Sequence, residues 1–531
     1  MSASAPAAPP AEHDKGTVPL PQPLKQKIKD GLVALSLANL CFMRVGFDLM
    51  SDKDRFFNKL PATTPMLLAL AANLFGFALL AWLVMQVLRR FSSRWLHLAV
   101  HLVFLFTLLL PVDFLRVNLT EVTDYQVLMF LKQPVVMVCG FALLALIVWR
   151  HRLVAKIAAT VVAIFSPLAI FVIAKIVVAC LGVSQLQNCS NVSLPPAGPV
   201  HQGQPRVVWI IFDEMDYRVV FDQRPAGLQL PEFDRLQGQS LFATSAHSPA
   251  DVTIMSMPAL ILGQRISAVS TENTCDLSIT FADSGATTTW SGQPSVFSEA
   301  RKLGVNTALV GWYIPYDRML GNSLNFCAWY AFPRYEPARA ETFKANLWRQ
   351  IRSLSGAFNT RWLFIDMLRD GLQTSLPLAT NPTYGLVLLH LPAPHRPGVY
   401  RPKSGKFSVL STSKVIGYFN NLVFADRELG ALRRAMETAG EWDKTWLIIS
   451  ADHSWRESLL YDKKRDMRIP FLVKTPGANG PMTYSQPFNT ILTHNLILAI
   501  LRGEVTNQQD TVRWLEAHGR QIAPVTGGSA E

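Results

Sequence analysis

Two apolar stretches of the chain end abruptly at side chains that can bind a metal or move a proton. The apolar run of residues 207–214 (VVWIIFDE) stops at Asp213 and Glu214, and that of residues 446–453 (WLIISADH) stops at Asp452 and His453. Such continuous apolar runs predict strands that are buried on both faces of a parallel sheet. Ligands gather just beyond the carboxyl ends of such strands, so we expect Asp213, Asp452 and His453 to converge on a divalent metal.

A hydroxyl nucleophile is predicted between the first two strands. Thr253 lies within residues 248–263 (SPADVTIMSMPALILG), where a loop with Pro and Asp changes into an apolar, helix-like segment. The dipole of a helix N-terminus favours the alkoxide of such a hydroxyl, and a coordinated cation lowers its pKa further. A threonine before a helix is usually only an N-cap. Its position among the other motifs of the chain is what favours Thr253 as a nucleophile.

The elements that must position these groups alternate along the second half of the chain. The helix predicted over 413–439 runs directly into the strand that ends at Asp452. This succession predicts βαβ units and a mostly parallel sheet sandwiched by helices. The predicted strands are 207–212, 307–310, 385–391, 446–451 and 469–474.

The first third of the chain predicts a membrane domain. The protein has 531 residues, half of them apolar, and the apolar excess is concentrated before residue 184. A membrane-spanning helix needs about 20 predominantly apolar residues. Five segments approach or exceed this length: 31–50, 65–87, 95–115, 127–149 and 154–181.

Basic loop residues predict the orientation of this five-helix bundle. Lys and Arg concentrate in the N-terminal tail and in the second-to-third and fourth-to-fifth loops, whereas the third-to-fourth loop is acidic. The positive-inside rule then places the N-terminus in the cytoplasm and everything after residue 184 outside. The predicted units are a cytoplasmic tail (1–30), a transmembrane domain (31–183), a linker (184–205), a catalytic domain (206–505) and a polar tail (506–531).

Charge and cysteine content narrow the class of protein. The net charge of +12 is largely carried by short segments beside the apolar spans, so we expect membrane binding and no nucleic-acid partner. Cys189, Cys275 and Cys327 fall in the outer part, where disulfides persist. We expect a Cys275–Cys327 bridge with Cys189 left over, the alternative being three free buried thiols.

The order of these motifs resembles the alkaline phosphatase/sulfatase superfamily. The segment T-x-x-S-x-P (Thr253, Ser256, Pro258) looks like its nucleophile loop, and residues 426–453 look like its helix-to-strand unit. With five preceding helices, the chain resembles the membrane-anchored phosphoglycerol and phosphoethanolamine transferases, which include lipoteichoic acid synthase. The resemblance implies one divalent cation, manganese or zinc first and magnesium as a further candidate. Its implied ligands are Asp213, Thr253, Asp452 and His453.

The same resemblance implies roles for three further residues. His395, in HLPAPHRP, is similar to the family histidine that contacts the phosphoryl group or protonates a leaving oxygen. Tyr316 and Arg318 look like the aromatic-x-Arg pair that holds the headgroup, a role that suits the planar guanidinium. The chain departs from the transferases at Asp213, where glutamate is common.

The implied activity is transfer of a phospholipid-derived phosphoglycerol or phosphoethanolamine group, through a phospho-threonine, to an envelope glycan or lipid. The implied location is the bacterial cytoplasmic (inner) membrane, with a periplasmic or extracellular catalytic domain. One alternative is a sulfatase-like hydrolase or phosphodiesterase, although the C-x-P-x-R motif that generates formylglycine is absent. Another is a non-catalytic envelope protein that keeps the fold to bind a partner.

Overall fold

The structure is a computed structural model that describes residues 24–50, 62–120, 122–186, 192–199, 203–270, 276–331, 342–477 and 480–519. Its N-terminal part is entirely helical, as the apolar segments predict. The helices described before residue 187 are α1 (Leu24–Cys41), α2 (Met43–Met50), α3 (Thr64–Leu88), α4 (Arg94–Thr107), α5 (Leu109–Leu119), α6 (Asp124–Leu131), α7 (Pro134–Trp149), α8 (His151–Ile164) and α9 (Ser166–Leu186).

Two units of this region are long and apolar enough to cross a membrane, namely Thr64–Leu88 and Arg94–Leu119. Three bent pairs each pass the same test together, with bends of 59° between α1 and α2, 83° between α6 and α7, and 44° between α8 and α9. The predicted helical region with apolar candidate spans is therefore confirmed. Within the described residues it holds two candidate spans, or up to five if each bent pair is one span, and its orientation stays a prediction.

The chain continues into an α/β domain. Its strands are β1 (Arg206–Asp213), β2 (Leu241–Ala243), β3 (Ala246–His247), β4 (Ile266–Ser270), β5 (Ser278–Phe281), β6 (Thr287–Thr289), β7 (Thr307–Trp312), β8 (Phe326–Tyr330), β9 (Leu386–Pro394), β10 (Tyr400–Arg401), β11 (Lys406–Phe407), β12 (Thr445–Ala451), β13 (Phe471–Lys474), β14 (Met482–Tyr484) and β15 (Phe488–Asn489). Its helices are α10 (Pro231–Gln237), α11 (Thr253–Leu262), α12 (Val296–Lys302), α13 (Tyr316–Leu320), α14 (Phe343–Ser353), α15 (Ala357–Thr380), α16 (Lys414–Thr438), α17 (Leu459–Asp462), α18 (Thr493–Leu501) and α19 (Gln508–His518).

The main sheet has eight strands in the order β14-β2-β13-β12-β1-β9-β7-β8. The neighbours from β12 to β8 run parallel to one another, and β13 runs antiparallel to both β12 and β2. Every residue of β1 is buried, because alternate side chains pack into apolar layers on opposite faces of the sheet. The predicted, mostly parallel α/β sheet is thus confirmed.

Helices cover both faces of this sheet. Side chains of α11, α12, α18 and α19 pack into one apolar layer, and those of α10, α15 and α16 pack into the other. Leu515 of α19 is buried in the first layer, although α19 lies within the range predicted as a polar tail.

The predicted Cys275–Cys327 bridge and its alternative involve Cys189 and Cys275, which lie outside the described residues.

A chain of ion pairs joins the α/β domain to the N-terminal helices. Asp113 of α5 bonds Arg44 at 3.2 Å and Arg116 at 2.6 Å, and Arg116 bonds Asp124 at 2.6 Å. Asp124 in turn accepts a bond of 3.1 Å from Arg361 in the first turns of α15. Because α15 precedes the parallel strand β9 through a short connection, its N-terminus lies towards the carboxyl ends of the strands. That end of the sheet therefore faces the N-terminal helices.

Candidate active site

The ends of the two central strands bring the predicted acidic and imidazole groups together. In the parallel pair β1–β12, Phe212 is opposite Ala451, so Asp213 and Asp452 leave the sheet side by side. The Nε2 atom of His453 lies 3.9 Å from Asp213 Oδ1 and 3.5 Å from Asp452 Oδ2. All three side chains are buried, and one ligand atom of each lies within 4.8 Å of the others.

The polar atoms of this cluster fit a divalent cation. Asp213 Oδ1 and Asp452 Oδ2 are buried and have no hydrogen-bond partner among the described residues, an arrangement that is costly unless a cation fills it. Burial, together with the charges of Asp452 and Glu214, raises the pKa of Asp213. The Nδ1 atom of His453 lies 3.0 Å from the Ser454 carbonyl oxygen, which favours a proton on Nδ1 and leaves Nε2 as the ligand.

Thr253 is the first residue of α11 and completes the predicted set. Its hydroxyl lies 3.3 Å from Asp213 Oδ2 and 3.3 Å from His453 Nε2. One turn later, the hydroxyl of Ser256 donates to the main-chain carbonyl oxygen of Asp452, which fixes the helix against the strand end. The four predicted ligands therefore occupy one site, with three oxygen donors and one nitrogen donor. Such a mixed set suits manganese, zinc or magnesium without selecting among them.

Glu214 and Arg456 border the cluster on its more open side. Glu214 has a left-handed backbone conformation (φ 62°), and its N–H donates to Asp452 Oδ1 at 3.1 Å. Its carboxylate bonds Arg456 Nε at 2.8 Å. Burial acts to raise the pKa of Glu214, but His395, His453 and Arg456 outweigh it and lower the pKa to about 2. A strained residue at such a position is typical of functional sites.

His395 follows β9 and is buried. Its ring packs edge-on against Trp312, with centroids 5.0 Å apart, and its Nδ1 lies 2.6 Å from the Arg396 carbonyl oxygen. Burial lowers the pKa of His395, so the imidazole is neutral at pH 7, with the proton favoured on Nδ1 and Nε2 as the acceptor. This state suits an exchange of protons with a substrate oxygen, and that role stays a prediction.

The structure adds a histidine that the motifs did not single out. His390, within β9, has its Nε2 atom 4.0 Å from Asp213 Oδ2. Its Nδ1 lies 2.7 Å from the hydroxyl oxygen of Tyr316, and burial lowers its pKa to about 4. The available signal was an imidazole in the middle of an otherwise apolar strand. Tyr316 is fully buried, so its contact here orients His390, while its predicted contact with a headgroup stays a prediction.

Arg318 lies on α13, two residues beyond Tyr316. Its guanidinium carbon is 5.6 Å from the ring centroid of Trp329, and burial lowers its pKa. A guanidinium stays protonated in proteins, so this residue remains a cation held against an aromatic face. Its predicted contact with substrate stays a prediction.

Comparison with known proteins decides the family. The profile of the family described as Sulfatase matches residues 205–501, which is more than half of the chain and contains all the site residues above. The chain belongs to the Sulfatase family. The predicted resemblance to the alkaline phosphatase superfamily is thereby confirmed. Members of this superfamily use a divalent metal, in agreement with the buried Asp/His cluster.

Individual relatives are distant. An ulvan-active sulfatase from Formosa agariphila is 26% identical over 149 residues, which cover 24% of this chain and only 29% of that protein. Among solved structures, Ps i-CgsB is 14% identical over 60% of this chain and 76% of its own, with a TM-score of 0.43. The lipoteichoic acid synthase LtaP from Listeria monocytogenes is 12% identical over 60% and 77%, with a TM-score of 0.38.

Arg456 is a second residue that the sequence motifs missed, although it stands only three positions after His453. Its side chain is 40% exposed beside the buried acidic cluster, a position suited to an anionic substrate. We expect Arg456→Ala to raise KM by about tenfold, with a smaller effect on kcat. Steady-state kinetics on a phosphate or sulfate ester measure this change.

Two controls separate binding from stability. The alanine variant leaves the Glu214 carboxylate buried without its partner, so we expect the double variant Glu214→Gln/Arg456→Ala to recover thermal stability but not KM. Arg434→Ala removes an exposed arginine that pairs with Glu232 on a distant helix, and its KM should be unchanged. If Arg456→Ala left KM unchanged, Arg456 would not bind the substrate.

Proposed function

We propose that this protein is a membrane-anchored transferase. It moves a phosphoglycerol or phosphoethanolamine group from a phospholipid to an envelope glycan or lipid, outside the cytoplasmic membrane of a bacterium. The observation that carries the proposal is the position of the Thr253 hydroxyl, 3.3 Å from both Asp213 and His453 at the first turn of a helix. A hydroxyl held in this way among metal-ligand groups is suited to covalent catalysis.

In the first step the Thr253 oxygen forms a bond to the headgroup phosphorus, and the bond from phosphorus to the diacylglycerol oxygen breaks. The hydroxyl proton passes towards Asp213 Oδ2, to which it already donates. A bound phosphodiester anion would favour the protonated form of the His395 imidazole, which is then placed to supply a proton from Nε2 to the departing diacylglycerol oxygen. When bound, a divalent cation would lower the pKa of the hydroxyl and stabilise charge on the phosphoryl oxygens.

In the second step an acceptor hydroxyl attacks the phosphorus of phospho-Thr253. The bond from phosphorus to Thr253 breaks, and the threonine oxygen recovers its proton from Asp213. His395, now deprotonated, takes the proton of the acceptor hydroxyl, so both histidine and threonine return to their starting states. Arg456 holds the phosphoryl group through both steps.

The chemistry of Thr253 argues against a formylglycine sulfatase. Formylglycine is an aldehyde, and an aldehyde side chain requires a Cβ atom with two hydrogens before oxidation. The Cβ of threonine carries a methyl group, so its oxidation yields a ketone. Thr253 therefore cannot be converted to formylglycine. Its hydroxyl would attack directly, which favours a phospho-threonine intermediate.

The direction of the sheet supports a lipid donor. Arg361, at the start of α15, bonds Asp124 of the membrane region at 3.1 Å, and the carboxyl ends of the strands carry the site. A donor phosphate at the surface of the outer leaflet would thus lie on the same side of the domain as Thr253.

Hydrolysis is the second candidate. The family match to Sulfatase and the ulvan-active sulfatase relative favour an enzyme in which water replaces the acceptor hydroxyl. Such an enzyme would use the same nucleophile on phosphodiesters or sulfate esters. The products separate the two candidates, because transfer yields a modified glycan or lipid, whereas hydrolysis yields only the free headgroup phosphate or sulfate.

The test is the intact mass of the full-length protein in detergent after incubation with phosphatidylglycerol or phosphatidylethanolamine. We expect an added glycerol-phosphate or ethanolamine-phosphate, which fragmentation assigns to Thr253. The adduct should disappear on addition of an acceptor glycan. Thr253→Ala is the control, and an adduct that persists on this variant would contradict the assignment of the nucleophile.

A further inference from the structure

The exposed apolar side chains of the α/β domain are confined to one end of it. In the described part of residues 203–519, ten large apolar side chains are exposed, and all of them lie within 343–362, 410–416 or 459–461. Scattered exposed apolar residues are normal on a soluble surface, whereas a concentration of this kind marks an interaction site. We call these three segments the apolar collar.

The three segments form one continuous surface. Arg361, next to the exposed Trp362, bonds the Ser411 hydroxyl at 3.1 Å, which joins the first segment to the second. Lys414 bonds Glu457 at 2.7 Å, which brings the second segment close to the third. The segments lie at the N-terminus of α15, at the N-terminus of α16 and in the region after β12. The collar therefore lies at the end of the sheet that holds the active site.

Helix α14 has the reverse of the polarity that water requires. A helix on a soluble domain buries its apolar face and exposes its polar face. In α14 the buried positions are Asn346 and Gln350, whereas Trp348 is 69% exposed and Ile351 is 44% exposed, beside the exposed Lys344 and Arg352. A helix with polar residues inside and apolar residues outside is stable where the surroundings are themselves apolar.

The buried amide of Gln350 in α14 binds helix α3. Gln350 Nε2 donates to the Met66 carbonyl oxygen at 2.9 Å, and Asn73 Nδ2 donates to Gln350 Oε1 at 3.0 Å. Helix α3 is one of the two units long enough to span a bilayer, and Met66 and Asn73 lie in its first ten residues. The exposed apolar side chains of α14 therefore lie on a helix packed against α3, which itself exposes apolar side chains such as Leu68 and Phe75.

We propose that the apolar collar is inserted into the outer leaflet of the phospholipid bilayer. The exposed tryptophans Trp348 and Trp362 are suited to the interface between headgroups and acyl chains. Lys344, Arg349 and Arg352 of α14 supply positive charge at the level of the lipid phosphates. The inference deepens the proposed function, because it would hold the entrance of the active site against the donor lipid.

Photocrosslinking of the full-length protein tests the insertion. A p-benzoylphenylalanine is placed at position 348 by codon suppression, and the protein is reconstituted in vesicles of phosphatidylglycerol and phosphatidylethanolamine and irradiated. The matched control is position 444, which is 68% exposed and lies just before β12, at the opposite edge of the sheet. We expect a phospholipid adduct at 348 and none at 444.

Other outcomes overturn the inference. A protein–protein adduct at 348, without lipid, would identify the collar as a contact between two copies of the chain. Equal lipid yields at 348 and 444 would mean nonspecific capture. Crosslinking does not require turnover. A protein that gives a lipid adduct at 348 but never forms phospho-Thr253 would therefore contradict the proposed transfer reaction and leave the insertion of the collar supported.

A charged substitution gives an independent measurement. We expect Trp348→Asp to lower turnover of a vesicle-borne donor on the order of tenfold, since a carboxylate is disfavoured in the interface. Turnover of a water-soluble phosphodiester should stay unchanged, which also shows that the variant is folded. Equal loss on both substrates, or no loss on either, would contradict insertion of the collar.

Discussion

Thr253→Ala is expected to lower turnover by about 10⁴-fold or more, the scale on which removal of a covalent nucleophile acts in other enzymes. The hydroxyl is the group that forms the bond to phosphorus, and no other hydroxyl is described within hydrogen-bond distance of both Asp213 and His453. Thr253→Ser keeps a hydroxyl in the same position and should retain turnover within about tenfold. Steady-state rates with a lipid donor and with a soluble phosphodiester measure both variants.

The loss must come from chemistry rather than from unfolding. Alanine has a high helix propensity, so its introduction in the first turn of α11 should change the free energy of unfolding by no more than about 1 kcal/mol. Ser256→Ala is the matched control, because it removes a second hydroxyl from the same helix, together with its bond to the Asp452 carbonyl oxygen. We expect a small loss of stability and turnover there. If Thr253→Ala and Ser256→Ala lost turnover to the same extent, Thr253 would not be the nucleophile.

The parts of the site that can be predicted from sequence are those next to the end of an element. Asp213, Asp452 and Thr253 each adjoin a strand end or a helix start, so local hydrophobic patterning locates them. His390 lies inside β9, where its neighbours predict only burial. Its bond partner Tyr316 is 74 residues away, and no local pattern pairs residues across that distance.

The same contrast holds for the fold. The long central strands can be predicted because each is a continuous apolar run. Strands β2 and β14, in contrast, have only three residues each, too few to show a periodicity. Helix α14 is the hardest case. Its amides predict a water-facing side, yet Gln350 is buried against Asn73, 277 residues earlier in the chain. Polarity alone does not distinguish a solvent-facing amide from one that binds a distant apolar helix.

Asp452→Asn is expected to make the protein more stable than wild type without a divalent metal and less stable than wild type with one. In the metal-free protein two buried carboxylates, Asp213 and Asp452, face each other and each has an oxygen without a hydrogen-bond partner in the described structure. Removing one charge relieves this repulsion, so the metal-free variant should be more stable than the metal-free wild type by about 1 kcal/mol. With metal the order inverts. At a metal concentration 100 times the Kd, the free energy of unfolding of wild type rises by about 2.7 kcal/mol, whereas the variant has lost a ligand and gains less.

The measurement is the thermal unfolding midpoint of the full-length protein in detergent, with EDTA or with manganese, zinc or magnesium, beside the bound metal content. Asp443→Asn is the matched control, because Asp443 is exposed just before the same strand, at the opposite edge of the sheet. We expect it to behave as wild type in both conditions. An equal metal-induced shift in wild type and Asp452→Asn would remove Asp452 from the metal site. If neither protein shifted with any of the three metals, the buried cluster would not be a divalent cation site, and the proposed activation of Thr253 would have to come from Asp213 and the helix N-terminus alone.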